Sequence, residues 1–283
     1  MRNRLAVNFR AAVFVKSALL ISSVACAIFM IPVASASAVS ELVPHRAFYT
    51  VSLAQNSDPG IVSDVDGLMT VSMEKTCDAW IYTQDLKTVI TPAEGQTIQQ
   101  SALFTSWESL NGLEYQFASK SQSNGISEEL RGKAVLNTDG SGENAQYTKP
   151  SQIDVALPPQ TMFPVSHTIW LLDEARSGSR YASRIIFTGT EEYQPELVNA
   201  FIGDTVKSKE HGAGVAGELG NRDGWPLSMA FYPIDSQTGI PSFEMNVLQL
   251  ENGITSSMIM NFGAFAAEIT AKKFEILSAP SCL

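Results

Sequence analysis

The stretch FTSWESLNGLEYQF, residues 104–117, decides how the chain is read. Asn111-Gly112 is the strongest short-range hairpin signal, because a type I′ turn needs positive φ at both central residues. A two-residue loop pairs Leu110 with Leu113, Glu108 with Tyr115, Ser106 with Phe117 and Phe104 with Ser119. Strand side chains alternate between faces. Glu108 therefore shares a face with Phe104, Leu110, Leu113, Tyr115 and Phe117, while Trp107 stands on the other face opposite Gln116. An acid on the more apolar face has two readings. One is a general acid whose pKa burial raises. The other, preferred here, is a structural carboxylate hydrogen-bonded to backbone N–H groups or to a Tyr or Arg.

Short β runs bounded by Gly, Pro or Asp extend outward from this hairpin in both directions. Before it come AFYTVSL (47–53), LMTVSME (68–74), AWIYTQDL (79–86) and TVITP (88–92). After it, in a polar middle segment, SEELRG and KAVLN read as hairpin strands. Later come SRIIFTG, PLSMAFYP, FEMNVLQL, ITSSMIMNF and AAEITAKKFEIL, with a second hairpin signal at Asn252-Gly253. One helix stands out in FPVSHTIWLLDEARSGS: Pro164 suits a first turn, Val165, Ile169 and Leu172 repeat at helical spacing, and Gly178 closes it. No fixed-period repeat or linker divides the chain, and residues 207–224 read as a long mobile loop.

The first 38 residues read as a secretory signal peptide. Arg2, Arg4, Arg10 and Lys16 precede an apolar run from Leu19 to Ile31 and the small-residue stretch VASASA. Cleavage is placed after Ala38, with Ala36 as the alternative; an uncleaved anchor fits less well because the run is short for a membrane span. Cys26 lies inside the apolar run and is read as discarded with it. The expected mature chain, 39–283, is a single domain. Losing the four basic residues leaves 15 basic against 29 acidic residues, a net charge of −14 instead of −10. Such a surface disfavours nucleic acid and anionic lipid surfaces. The two remaining cysteines, Cys77 and Cys282, read most economically as one disulfide in an oxidising compartment, two free thiols being the alternative.

Motifs for chemistry are sparse. Gly212-Ala-Gly214-Val-Ala-Gly217 matches G-x-G-x-x-G, but KSKEH precedes it and Gly220, Gly224 and Pro226 are expected to prevent a following helix. H-E-x-x-H, G-x-S-x-G and C-x-x-C are absent. Of His45, His167 and His211, His167 is the most interesting, with Trp170 and Glu174 at helical spacing on one side; a helix-face histidine is the preferred reading. No carboxylate pair is singled out for glycosidase chemistry. An outer-membrane barrel fits poorly, because the strands are short, several carry charge on both faces and the chain ends APSCL.

LVPHRA (42–47), Cys77-x-x-Trp80, FTSWES with its Gly turn, LP…FPVSH (157–167), ENGI (251–254) and Cys282 run in order along the mature chain. Together they resemble the EipB-like family of periplasmic cell-envelope integrity proteins of Gram-negative bacteria. The resemblance implies an all-β, mainly antiparallel fold with a few short helices: a bent, spiral sheet like an incompletely closed barrel. It also implies a Cys77–Cys282 disulfide and a non-enzymatic role in keeping the envelope intact. It supplies no catalytic residues. Where the family pattern resembles Asp-Tyr-Gly-Asp-Phe, this chain has Asn261-Phe262-Gly263-Ala264-Phe265, so those acids do no chemistry here.

The expectation is therefore a soluble, monomeric periplasmic protein that binds an envelope component or a periplasmic partner protein, without cofactor or metal. One alternative is a half-open barrel carrying a lipid or an acylated protein segment; another is an envelope-polymer hydrolase using Glu108 or His167. The expected ligand or partner surface comprises Phe104, Trp107, Glu108, Tyr115, Phe117 and His167, with Leu110 and Leu113 beside them.

Overall fold

The described chain enters its sheet in the middle. It walks strand by strand to one edge, crosses through a helix to the other edge, and returns to the middle. The computed structural model describes residues 41–282 except 56, 58, 59, 191, 192, 209–216 and 236–238. The expected signal peptide, Cys26 and His211 lie outside the described residues.

The outward walk is β1 (His45–Leu53), β2 (Val62–Lys75), β3 (Ala79–Pro92), β4 (Ile98–Ser109), β5 (Glu114–Ser123), β6 (Ile126–Leu136), β7 (Glu143–Lys149) and β8 (Ile153–Leu157). The crossing is α1 (Pro164–Ser177). The return is β9 (Tyr181–Ile186), β10 (Glu196–Ile202), the one-turn helix α2 (Gly217–Gly220), β11 (Gly224–Pro233), β12 (Phe243–Leu250), β13 (Thr255–Asn261) and β14 (Ala266–Ile276). The 14 strands of the described residues form one antiparallel sheet, in which β1 pairs with β14 and β8 and β9 are the two edges. The sheet is a barrel left open. A parallel bridge from Met162 to Ile186 ties the entry of α1 to β9.

Local sequence explains the elements. In β1 the inward positions Ala47, Tyr49 and Val51 are buried and alternate with Arg46, Phe48 and Thr50. TVITP continues AWIYTQDL without a break, and SEELRG and KAVLN are one strand, because no residue between them forces a turn. Around Asn111-Gly112 the register is the expected one, with Glu108 opposite Tyr115 and Ser106 opposite Phe117. The turn differs. Gly112 has φ of 69° and its N–H bonds Ser109 O at 2.8 Å, while Asn111 stays at negative φ. Asn111 instead accepts the Leu113 N–H on Oδ1, and Asn252 does the same for Ile254 N–H in the second hairpin. Both turns thus place only the glycine in the left-handed region. Leu110 consequently sits exposed on the loop and does not pair with Leu113.

α1 ends at Gly178, whose φ of 85° lets its N–H bond Ala175 O. The helix lies within the concave side. Val165, Leu171, Leu172 and Ala175 pack on Ala182, Val198, Ala200, Trp225 and Leu227 of β9–β11. A second cluster joins β1, β2 and β14. A third holds Tyr115, Phe117 and Tyr147 against Phe163 and Phe187, filling the concavity under β5–β7. Phe117 fits because a Cβ at Gly132 would lie 2.3 Å from its Cζ, space only glycine leaves.

Cys77, in the β2–β3 turn, is bonded to Cys282, with Cα atoms 5.5 Å apart across 205 residues. The bond does not join the ends of the sheet, which are β8 and β9; it sits near the middle, where the chain's two terminal strands pair. The G-x-G-x-x-G stretch lies outside the described residues except for the Gly217 backbone. A helix does follow it, since Gly217–Gly220 makes one turn.

Candidate functional site

Glu108 is 1% exposed, and its carboxyl faces the N-terminus of α1. Oε2 accepts the Val165 N–H at 2.8 Å; Oε1 accepts the Ser166 N–H at 2.7 Å and the Ser166 hydroxyl at 2.5 Å. The helix needs this partner. Its own N-cap, Phe163, offers no side-chain bond, and no acid lies in the first turn. Glu108 thus satisfies amides that would otherwise be orphaned and meets the positive end of the helix dipole. Burial pushes its pKa up, against the pull of the Ser166 hydroxyl and the two amides. Three donors converging on two oxygens suit the ionised form. Glu108 is a tertiary helix cap, buried away from the surface.

Beside this cap the concavity stays unfilled. Between the inward faces of β1–β4 and β11–β14 and the side of α1 lies a cavity of about 750 Å³. That is within the roughly 300–1,000 Å³ of small-molecule sites. Its wall is mainly aliphatic, aromatic and thioether. Met69, Met229, Met245, Met258 and Met260 are five of the chain's nine methionines, side chains that adapt to irregular apolar shapes. Among the described residues no Asp, Glu, Lys or Arg lines it. Phe262 and Phe265, on the β13–β14 turn with ring centroids 5.3 Å apart, line one end. Phe262 is also 51% exposed, which places an opening there.

Polar groups in the wall are few. His167 is buried in the second turn of α1 and lies 5.8 Å from the Trp170 ring. Burial, and then the positive charge of Arg184, push its pKa down to about 4, so it is neutral at ordinary pH. Gln249 of β12 accepts the Thr255 hydroxyl at 3.0 Å on Oε1. Tyr82, Gln84, Thr88 and Gln100 complete the polar positions on β3 and β4, and Thr168 adds one from α1.

The expected ligand surface is mostly elsewhere. His167 alone of those residues lines the cavity. Tyr115 and Phe117 are 1% and 2% exposed inside the third cluster, because Phe163 and Phe187 occupy the concavity that they face. Their rings are fixed further: Tyr115 donates its hydroxyl to Thr188 O at 3.0 Å. Leu113 packs against the same cluster and Leu110 is exposed. Phe104 stands behind Tyr82, 6.3 Å between centroids, and Trp107 is half-buried on the opposite face from Glu108. Glu108 is sealed under α1. His45 is buried at the start of β1, its Nδ1–H donating to Val43 O at 2.7 Å. Sequence reasoning missed Gln249 and the methionines; the one available signal was their alternation in FEMNVLQL and SMIMN, which marks an inward face without showing that it is unfilled. Among the described residues no group of three His, Cys, Asp or Glu is placed to hold a metal ion, and no helix is long and apolar enough to cross a membrane.

These features define a class: an open antiparallel β-spiral with an internal helix capped by a buried carboxylate and an apolar cavity at its side. The family model described as EipB-like matches residues 36–278, and the chain belongs to that family. It is 23% identical over 247 residues to the cell envelope integrity protein EipB of Brucella abortus (strain 2308), covering 86% of this chain and 87% of that one. The crystal structure of a beta-barrel-like protein of domain of unknown function DUF1849 from Brucella abortus superposes with a TM-score of 0.77 at 23% identity. It covers 84% of this chain and all of that one.

Proposed function

We propose that this protein, once exported and relieved of residues 1–38, helps to maintain the cell envelope by holding an apolar envelope component, without catalysing a reaction. The observation that carries this reading is the cavity of about 750 Å³ with its methionine-rich wall. The name of the Brucella relative supports the envelope role. Binding is favoured over hydrolysis because Glu108, the carboxylate proposed for acid chemistry, has both oxygens engaged by α1, and because His167 has no Asp or Glu beside it in the cavity wall. The half-open carrier reading draws on the same cavity and on its opening at Phe262.

Complementation tests it. A deletion strain should become sensitive to detergents and wall-directed antibiotics, and the wild-type gene should restore resistance. Met245→Trp and Met258→Trp, which fill the cavity from different strands, should fail to restore it while the protein still accumulates folded. Full rescue by both variants would end the cavity-based reading.

A further inference from the structure

Among the described residues, two buried side-chain polar atoms have no hydrogen-bond partner, His167 Nε2 and Gln249 Nε2. They belong to different elements, α1 and β12, yet both residues line the same cavity. His167 is 6% exposed and Gln249 7%, so both side chains are largely shielded from bulk solvent. A buried polar atom without a partner is costly, and native proteins carry few. Two such atoms on residues that line one apolar hollow point to a partner that arrives with the ligand.

The chemistry of that partner is constrained. Gln249 Oε1 is held by the Thr255 hydroxyl, which leaves the amide nitrogen as the donor without a partner. Turning the amide over would exchange the atoms and still leave one end unpaired. Neutral imidazole serves as donor or acceptor according to its tautomer. No cation lines the wall to receive a carboxylate or a phosphate, and no anion to receive an ammonium group. Arg184, the cation nearest His167 in effect, is already engaged, stacked 4.7 Å over Trp170 and bonded to Gln160 Oε1 at 3.1 Å. A charged group drawn inside would be desolvated without compensation. The volume equals roughly 25 water-sized groups at about 30 Å³ each, the bulk of a long acyl chain with a small head.

We infer that the cavity selects a single acyl chain ending in an uncharged ester or amide. The ligand carbonyl accepts from Gln249 Nε2, and a second polar atom of the same head pairs with His167 Nε2. Ionised fatty acids, phosphate-bearing lipids and bare hydrocarbon are disfavoured. The inference rests on the cavity being the binding site, and adds the chemistry of what it takes.

The test displaces N-phenylnaphthylamine from the purified protein with three probes of equal chain length: monooleoylglycerol, oleate and octadecene, at a pH where oleate is ionised. Monooleoylglycerol should bind about tenfold or more tighter than either of the others. Gln249→Met and His167→Phe should each weaken it roughly fivefold, about one neutral hydrogen bond, and leave octadecene unchanged. Octadecene binding is the control for an intact cavity in both variants. Oleate binding as tightly as monooleoylglycerol, or variants that weaken ester and hydrocarbon alike, would overturn the selectivity and leave apolar binding standing. Failure of all three probes to bind would overturn the cavity reading itself.

Discussion

Ser166 donates twice to one oxygen of Glu108, through its amide at 2.7 Å and its hydroxyl at 2.5 Å. Strand β4 thereby holds the N-terminus of the helix that fills one side of the sheet and forms one wall of the cavity. Glu108→Gln keeps the shape but turns an NH₂ group toward an N–H donor. It should destabilise by about 3 kcal/mol, the upper part of the range for bonds to a charged group. Ser166→Ala, which removes only the hydroxyl bond, should cost about 1–2 kcal/mol. Urea unfolding checks both; a Glu108→Gln protein as stable as wild type would show that the cap is not structural.

Burial lowers the pKa of His167 to about 4, with Arg184 facing it, and lowers that of His45 as well. The unfolded chain takes up protons below about pH 6.5 that the folded imidazoles refuse. The histidine contribution to stability should therefore fall as pH drops from about 6.5 toward 4, while Glu108, whose pKa burial raises, acts in the opposite sense. For His167 the slope approaches 1.4 kcal/mol per pH unit within that window. Comparing wild type with His167→Gln isolates this contribution: the variant should gain relative to wild type across that window. Parallel curves would refute the assignment.

Much of this architecture is legible in the residues, and the limits are physical. Alternation around Asn111-Gly112 places Glu108, Tyr115 and Phe117 on one face and yields the register observed. Pro164 and Gly178 bracket α1, which runs from the former to the residue before the latter. Asn-Gly does not reveal the turn type, because Asn111 and Asn252 accept an N–H two residues on and so stay at negative φ. Alternation assigns faces but not neighbours, so the β1–β14 pairing is hidden, and with it which part of the inner face is filled. Glu108 looks out of place in the sequence; the donors that explain it lie 57 and 58 residues away.

The disulfide closes a loop of 205 residues, for which the chain-entropy model gives about 5 kcal/mol. The realised gain should be smaller, a few kcal/mol. The tail is already held as far as Leu277, whose N–H bonds Pro44 O at 3.0 Å, so the bond orders little beyond it. Cys77→Ala and Cys282→Ala should lower stability equally, and the double variant no further. Thiol titration of denatured, unreduced protein should find none of the two reactive.

Gly132 leaves room for the Phe117 ring, and a Cβ there would also lie 2.7 Å from Gln146 O. Gly132→Ala should therefore destabilise by about 2–3 kcal/mol through overpacking. Phe117→Leu should relieve only part of it, because the carbonyl contact remains. A thermal-unfolding double-mutant cycle measures this; full additivity would mean that the two residues do not compete for the space.

On the proposed reading, the cavity between α1 and the inner faces of β1–β4 and β11–β14 holds an acyl-bearing molecule in the cell. Organic extraction of protein purified from its native cells, followed by mass spectrometry, reads this out. Close to one acyl ester or amide per chain is expected, lost in Met245→Trp protein that remains folded. Wild-type protein that yields no such molecule, or Met245→Trp protein that yields just as much, would contradict the reading.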